Sequence, residues 1–345
     1  MALLREVDPG ELGVAERVKP AERHPPVTVV FENGRVWRER VPIQGVAKLL
    51  NEAEGDRFFF GNFQAPTPEE LEALRREFGF HPLAIEDVLT RHQRPKIDIY
   101  GDHYFLVFYR IGTGDGSDDV LIQEVDCFIG PKFLVVTHDS RIPLLDDQFQ
   151  RFCRTPGPKS VSVLLYELLD ALVDEYFPFL DDVAERSAEI EDALFKKFEA
   201  KHLERMLELK RDLIRLRRVV SPERDVVNVL LRRDPPVIDP AQIVYFQDVY
   251  DHLVRVTESI DTYRELVSGS LEAFLSVQNN RLSEVVRKLT VISVTFLPLT
   301  FITGFFGMNF RVFDPSNDGL FIVSLLLMAA VPTALLLYLK RKGLE

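Results

Sequence analysis

Cysteine is nearly missing from this chain: Cys127 and Cys153 are the two among 345 residues. That excludes a disulfide scaffold, and their spacing is not that of metal ligands. No Gly-x-x-x-x-Gly-Lys-Ser/Thr loop occurs, so no nucleotide is expected as partner or energy source. The seven histidines (His24, His81, His92, His103, His138, His202, His252) include no His-Glu-x-x-His pair, and no Gly-x-Ser-x-Gly elbow is present. The sequence is therefore not read as an enzyme, and no catalytic set is expected. Basic excess is also lacking: 42 Lys+Arg stand against 54 Asp+Glu, a net charge of −12. The amino end has no basic region followed by an apolar run, so no cleavable leader is expected.

Charge is absent altogether from two stretches near the carboxyl end. Leu289–Phe310 is 22 residues without a charged side chain, and Gly319–Leu339 is 21. A bilayer core of about 30 Å takes roughly 20 helical residues, so both read as membrane spans, and the lipid bilayer is the first partner. Arg281, Arg287 and Lys288 precede the first span, and Lys340, Arg341 and Lys342 follow the second. The connection between them holds Arg311 against Asp314 and Asp318. The positive-inside rule then puts both termini in the cytoplasm and the 311–318 loop outside. Residues 281–345 carry seven Lys+Arg and four Asp+Glu, a balance of +3, which leaves −15 for residues 1–280. An acidic cytoplasmic body argues against nucleic acid as a partner.

The cytoplasmic part divides by pattern. Residues 1–26 are charged and proline-spotted, an N-terminal arm. Residues 27–155 read as an α/β domain. VTVVFENGRVWRERV gives two short strands about Asn33-Gly34, and Thr67-Pro68 opens a helix as N-cap and first residue. Strands follow at 103–111, 120–129 and 133–137, and the glycines of 112–119 form a hairpin loop. Residues 156–240 are a helical region, with one long helix expected over 160–198, kinked at Pro178, and another over 200–232. A stalk helix over 241–288 runs into the first span, 289–310. The 311–318 loop, the second span 319–339 and a basic tail, 340–345, complete the chain.

On the stalk, Phe246, Val249, Leu253, Val256, Ile260, Tyr263 and Val267 recur in steps of three and four. This is a heptad seam, and it predicts self-association of the helix around an axis. Further on, Ser283, Val286, Thr290, Ser293, Leu297, Thr300 and Gly304 share one stripe, with Leu289 beside it. Such a stripe serves close helix packing. It serves equally to line a narrow aqueous pore with Leu289 and Leu297 as apolar constrictions. The second span has no such stripe and reads as lipid-facing.

The first span ends in Phe305-Phe306-Gly307-Met308-Asn309-Phe310. A Gly-Met-Asn signature there, after TFLPLTFITG at 295–304 and before one more span and a basic tail, resembles the CorA family of magnesium channels. Segments 81–88 (HPLAIEDV), 92–99 (HQRPKIDI), 170–177 (DALVDEYF) and 245–252 (YFQDVYDH) agree with it. The resemblance extends from about residue 27 to the end.

It implies an α+β cytoplasmic domain with long helices and two transmembrane helices per chain. The chains would form a funnel-shaped homopentamer with a central pore in the inner cell membrane. The cargo implied is chiefly Mg²⁺, with Co²⁺ and Ni²⁺ as further candidates, driven by the membrane potential. Gly307, Met308 and Asn309 would form the selective outer mouth. Mg²⁺ is small and dehydrates reluctantly, so five Asn309 carbonyls could accept hydrogen bonds from its water shell. Ser283, Val286 and Leu297 stand where the family leads one to expect Asn, Met and Met, which leaves the inner mouth poorer in ligands. The resemblance also implies a regulatory Mg²⁺ held between subunits by Asp87 and Asp248, with Glu86, Asp170 and His252 as neighbours. The alternatives are a ZntB-type zinc transporter and a membrane-anchored coiled-coil scaffold without a pore.

Overall fold

Asn33 and Gly34 both have positive φ, 48° and 75°, the backbone that a two-residue turn needs to match the twist of its strands. They join β1 (Val27–Glu32) to β2 (Arg35–Glu39) as an antiparallel hairpin. The computed structural model describes residues 23–52, 56–113, 120–155, 157, 159–196, 200–232, 237–308 and 318–341. It divides into two units, 1–268 and 269–345.

The first unit is built on a seven-stranded sheet in the order β2-β1-β3-β7-β6-β5-β4. The further strands are β3 (Arg57–Gln64), β4 (Lys96–Tyr100), β5 (His103–Thr113), β6 (Val120–Gly130) and β7 (Phe133–His138). β3 and β7 run parallel and the other neighbours antiparallel. The long β5–β6 pair closes from Thr113 to Val120. The expected hairpin therefore stands, although residues 114–119 lie outside the described ones. β3, RFFFGNFQ, is buried on both faces. Phe60 stacks on Phe149 of α4 (Pro143–Arg154), and Phe59 stacks on Phe78 of α2 (Pro68–Phe78). Helices thus cover both sides of the sheet, as a strand without polar alternation requires. Gly61 is needed between its flanking rings: a Cβ there would meet Phe63 at 2.7 Å and Phe59 at 2.9 Å. The remaining short helices are α1 (Val46–Asn51) and α3 (Pro82–Thr90).

α2 begins as the sequence predicts. Thr67 accepts from the Glu70 backbone, and the Glu70 carboxylate accepts from the Thr67 backbone in return. The expected helix over 160–198 is two helices, α5 (Val161–Asp174) and α6 (Tyr176–Lys196), parted at Glu175 and not at Pro178. Pro178 is the third residue of α6, inside the first turn, where a missing N–H costs nothing. Glu175 is instead turned to the sheet, where Arg110 holds it through Nε at 2.6 Å and Nη2 at 3.2 Å. α7 (Ala200–Arg232) follows as predicted, and residues 197–199 between them lie outside the described set.

A short 3-10 turn, Pro240–Gln242, precedes α8 (Ile243–Phe306), one helix of 64 residues. Its seam is not free for a partner. Phe246, Val249, Leu253, Val256, Ile260 and Val267 are all at most 1% exposed within the single chain, with Tyr263 half-buried. They belong to a core shared with α5–α7. Tyr166 of α5 packs edge-on to Phe246, Arg255 lies over Phe177 of α6, and Arg217 of α7 bonds Asp261 at 2.7 Å. The period of this seam is therefore accounted for by burial inside the protomer, without a second copy of the helix.

The second unit holds the last part of α8 and α9 (Asp318–Arg341). Both are long and apolar enough to cross a membrane, and almost no residue of either apolar window is buried. Leu339 of α9 lines one cleft with Ser283, Val286, Thr290 and Val291 of α8, so α9 runs back along α8. Ser324, Met328, Val331, Pro332, Leu335 and Leu339 form the covered face of α9.

Candidate ion path and metal centre

On α8, Val291, Val294, Thr295, Pro298, Leu299 and Ile302 are half-covered. At about 100° per residue, Leu289, Ser293, Leu297, Thr300 and Gly304 of the predicted stripe lie on the opposite side of the helix, while Ser283, Val286 and Thr290 border the cleft that Leu339 of α9 lines. Every member of the stripe, Ser283, Val286, Leu289, Thr290, Ser293, Leu297, Thr300 and Gly304, is exposed. Leu297 is 73% exposed and Leu289 62%. The single chain thus leaves bare the hydroxyl-bearing face of its first span. Two of the hydroxyls on it are already oriented. Thr290 donates to the Val286 carbonyl at 2.8 Å and Thr300 to the Phe296 carbonyl at 3.0 Å. With the proton committed inward, each oxygen offers lone pairs outward, as a water-wrapped cation requires.

Gly307 ends the helix, its N–H donating to the Thr303 carbonyl at 3.0 Å. A Cβ at Gly307 would sit 2.9 Å from that oxygen, so only glycine lets the backbone close here without a shift. Met308 follows, exposed at the helix end. Asn309 and residues 310–317 lie outside the described residues, as do the arm over 1–22 and the tail over 342–345.

The expected regulatory residues fall in two places. Among the described residues, Asp170, Asp248 and His252 have ligand atoms within 4.8 Å of one another. α5 and α8 supply them by one-turn repeats. Asp170 and Asp174 are i,i+4 on α5, and Asp248 and His252 are i,i+4 on α8. His252 lies 3.8 Å from Asp248 and 3.6 Å from Asp174, and its buried Nδ1 has no hydrogen-bond partner. Burial, the neighbouring Asp174 and Asp248 raise the Asp170 carboxyl above the ordinary range, with His252 opposing them. The Tyr166 hydroxyl, 3.4 Å from Asp170, is pushed up to about 12 by burial and by Asp170 and Asp248. Negative charge is in excess at this spot, and a cation relieves it. The donor set fits a divalent ion. Its carboxylates suit hard Mg²⁺, and the imidazole suits Co²⁺ or Ni²⁺.

Asp174 and Tyr166 were not singled out from the sequence. The i,i+4 spacing of Asp174 to Asp170, inside DALVDEYF, was the signal available.

Asp87 and Glu86 are elsewhere, on α3. Glu86 is exposed, and Asp87 bonds Lys96 at 2.7 Å. Lys96 also reaches Asp98 at 2.8 Å. Burial lowers the basicity of its ammonium, but the bonds to Asp87 and Asp98 outweigh this and raise it overall. The last turn of α3 is fixed where the Arg91 N–H donates to the Asp87 carbonyl at 2.9 Å. The Arg91 side chain is itself buried against Asp126 and, at 3.1 Å, Asp139.

The family profile described as "CorA-like Mg2+ transporter protein" matches residues 55–341. The chain belongs to the CorA family. It is 32% identical over 269 residues to the cobalt/magnesium transport protein CorA of Thermotoga maritima, covering 77% of each chain. The solved CorA magnesium transporter of Methanocaldococcus jannaschii shares the fold with a TM-score of 0.76 at 20% identity, over 92% of this chain and 99% of that one. The zinc transport protein ZntB of Yersinia enterocolitica is also similar, at 25% identity over 72% of this chain and 76% of its own. Membership of the CorA family agrees with the sheet, the long helices and the two candidate spans described above.

Proposed function

We propose that several copies of this chain, most simply five, form a channel for divalent cations, chiefly Mg²⁺, in the cytoplasmic membrane. Co²⁺ and Ni²⁺ would be further cargo. The observation that carries this reading is the exposed stripe from Ser283 to Gly304, whose Leu289, Ser293, Leu297, Thr300 and Gly304 stand opposite the covered face of α8. Two spans cannot enclose a polar path alone, since backbone and polar groups in a bilayer need internal partners. A ring of copies, each turning this stripe inward and α9 outward, would give a water-filled axis with apolar constrictions at Leu289 and Leu297. Asn309 at the outer end, following Gly307 and Met308, would meet the ion with its water shell intact. Both termini would then lie in the cytoplasm.

An inside-negative potential of about 100 mV gives a divalent ion roughly 4.6 kcal/mol of inward drive, so no nucleotide is required. That drive calls for a brake. Intracellular Mg²⁺ held between subunits by Asp87 of one and Asp248 of the next would supply it, with Glu86, Asp170 and His252 near the ion. Loss of the ion would leave like charges facing one another. Zinc transport is the second reading, favoured by the similarity to ZntB. Flux of Mg²⁺, Co²⁺, Ni²⁺ and Zn²⁺ into liposomes carrying the purified protein separates them. Mg²⁺ entry supports the first reading, and entry of zinc alone supports the second.

A further inference from the structure

Lys96 opens β4 and Asp98 follows two residues later, on the same face of the strand. The ammonium therefore stands between Asp98, at 2.8 Å, and Asp87 of α3, at 2.7 Å. Asp87 and Lys96 are both partly shielded, their side chains 20% and 32% exposed. Asp87 is thus already neutralised by a cation that belongs to the chain.

We propose that Lys96 competes with the regulatory divalent cation for Asp87 and so sets the concentration at which that cation binds. This rests on the reading of Asp87 as a ligand of the intersubunit ion. The ion needs the carboxylate that the ammonium holds, and two cations cannot share it without repulsion. Asp98 is the second station. It keeps the ammonium paired once Asp87 is taken, so exchange leaves no bare charge behind.

The test is limited proteolysis of the purified full-length protein across a Mg²⁺ titration, read as the Mg²⁺ concentration giving half protection. K96Q should lower that midpoint by about fivefold, the scale of one part-exposed ion pair. D98N, which leaves the ammonium to Asp87 alone, should raise it by a similar factor. D87A should raise it further, and K96Q added to D87A should then change nothing. R94Q controls for loss of a nearby positive charge and should leave the midpoint in place. Competition is overturned, with the clamp intact, if D87A raises the midpoint while K96Q and D98N leave it unmoved. It is also overturned if K96Q acts as strongly in the D87A background, or if R94Q matches it. An unmoved midpoint in D87A overturns the clamp and the competition together.

Discussion

Glu223 of α7 accepts the backbone N–H of Tyr109 in β5 at 2.8 Å, across 114 residues of chain. The pairing of β4 with β5 stops at Lys96 and Val107, so this carboxylate takes over the ladder where the edge of β5 would be bare. The Tyr176 hydroxyl lies within 3.2 Å of both Glu223 oxygens. Burial raises the Glu223 carboxyl well above its usual range, against the bonds from Tyr109 and Tyr176, which lower it. A carboxyl raised in the fold binds its proton more tightly there than in the unfolded chain. Its contribution is full below the unfolded pKa and is lost as pH rises toward the folded value. E223Q, neutral at every pH, should flatten the fall in thermal stability as pH rises above the range of an ordinary carboxyl. E223A should cost about 1–3 kcal/mol by leaving the Tyr109 N–H unsatisfied. Thermal unfolding of the detergent-solubilised protein at several pH values checks both.

The seam of α8 makes a second prediction. Leu253 is wholly buried within one chain, so L253A should destabilise the protomer by about 2–5 kcal/mol. A coiled-coil scaffold held together by this seam would instead yield folded, dissociated protomers. Thermal unfolding together with the mass in detergent distinguishes the two.

The Asp170 cluster predicts a pH-dependent metal site. Its carboxyl is raised by burial and by Asp174, and a ligand must shed its proton to bind. Co²⁺ binding to the full-length protein should therefore weaken on acidification from about pH 7 to about pH 5. D170N should weaken it at neutral pH and reduce its pH dependence. Calorimetric titration at the two pH values reads both effects.

What the sequence disclosed depended on how locally each feature is encoded. The Asn33-Gly34 turn, the Thr67 cap and the two uncharged stretches are written in adjacent residues and were legible. β3 was not: it is buried on both faces, and RFFFGNFQ has no alternation to read. The break at Glu175 was missed because the partner of that residue, Arg110, lies 65 residues away. The seam from Phe246 to Val267 was seen correctly but given to a partner helix, since periodicity records burial and not what covers it. Among the metal-binding candidates, Asp170, Asp248 and His252 come together in one chain. Asp87 stands apart with Lys96, and the pairing with Asp248 proposed above would need a second subunit.

The central claim is that copies of this chain turn the stripe ending at Asn309 toward a shared, water-filled axis. Its most direct test is Mg²⁺ uptake by liposomes held at an inside-negative potential, with wild-type protein and with N309A reconstituted at equal, verified density. The account predicts uptake through the wild type and none above protein-free liposomes through N309A, with both proteins assembled alike. Equal uptake through the two, or none through either, would contradict it.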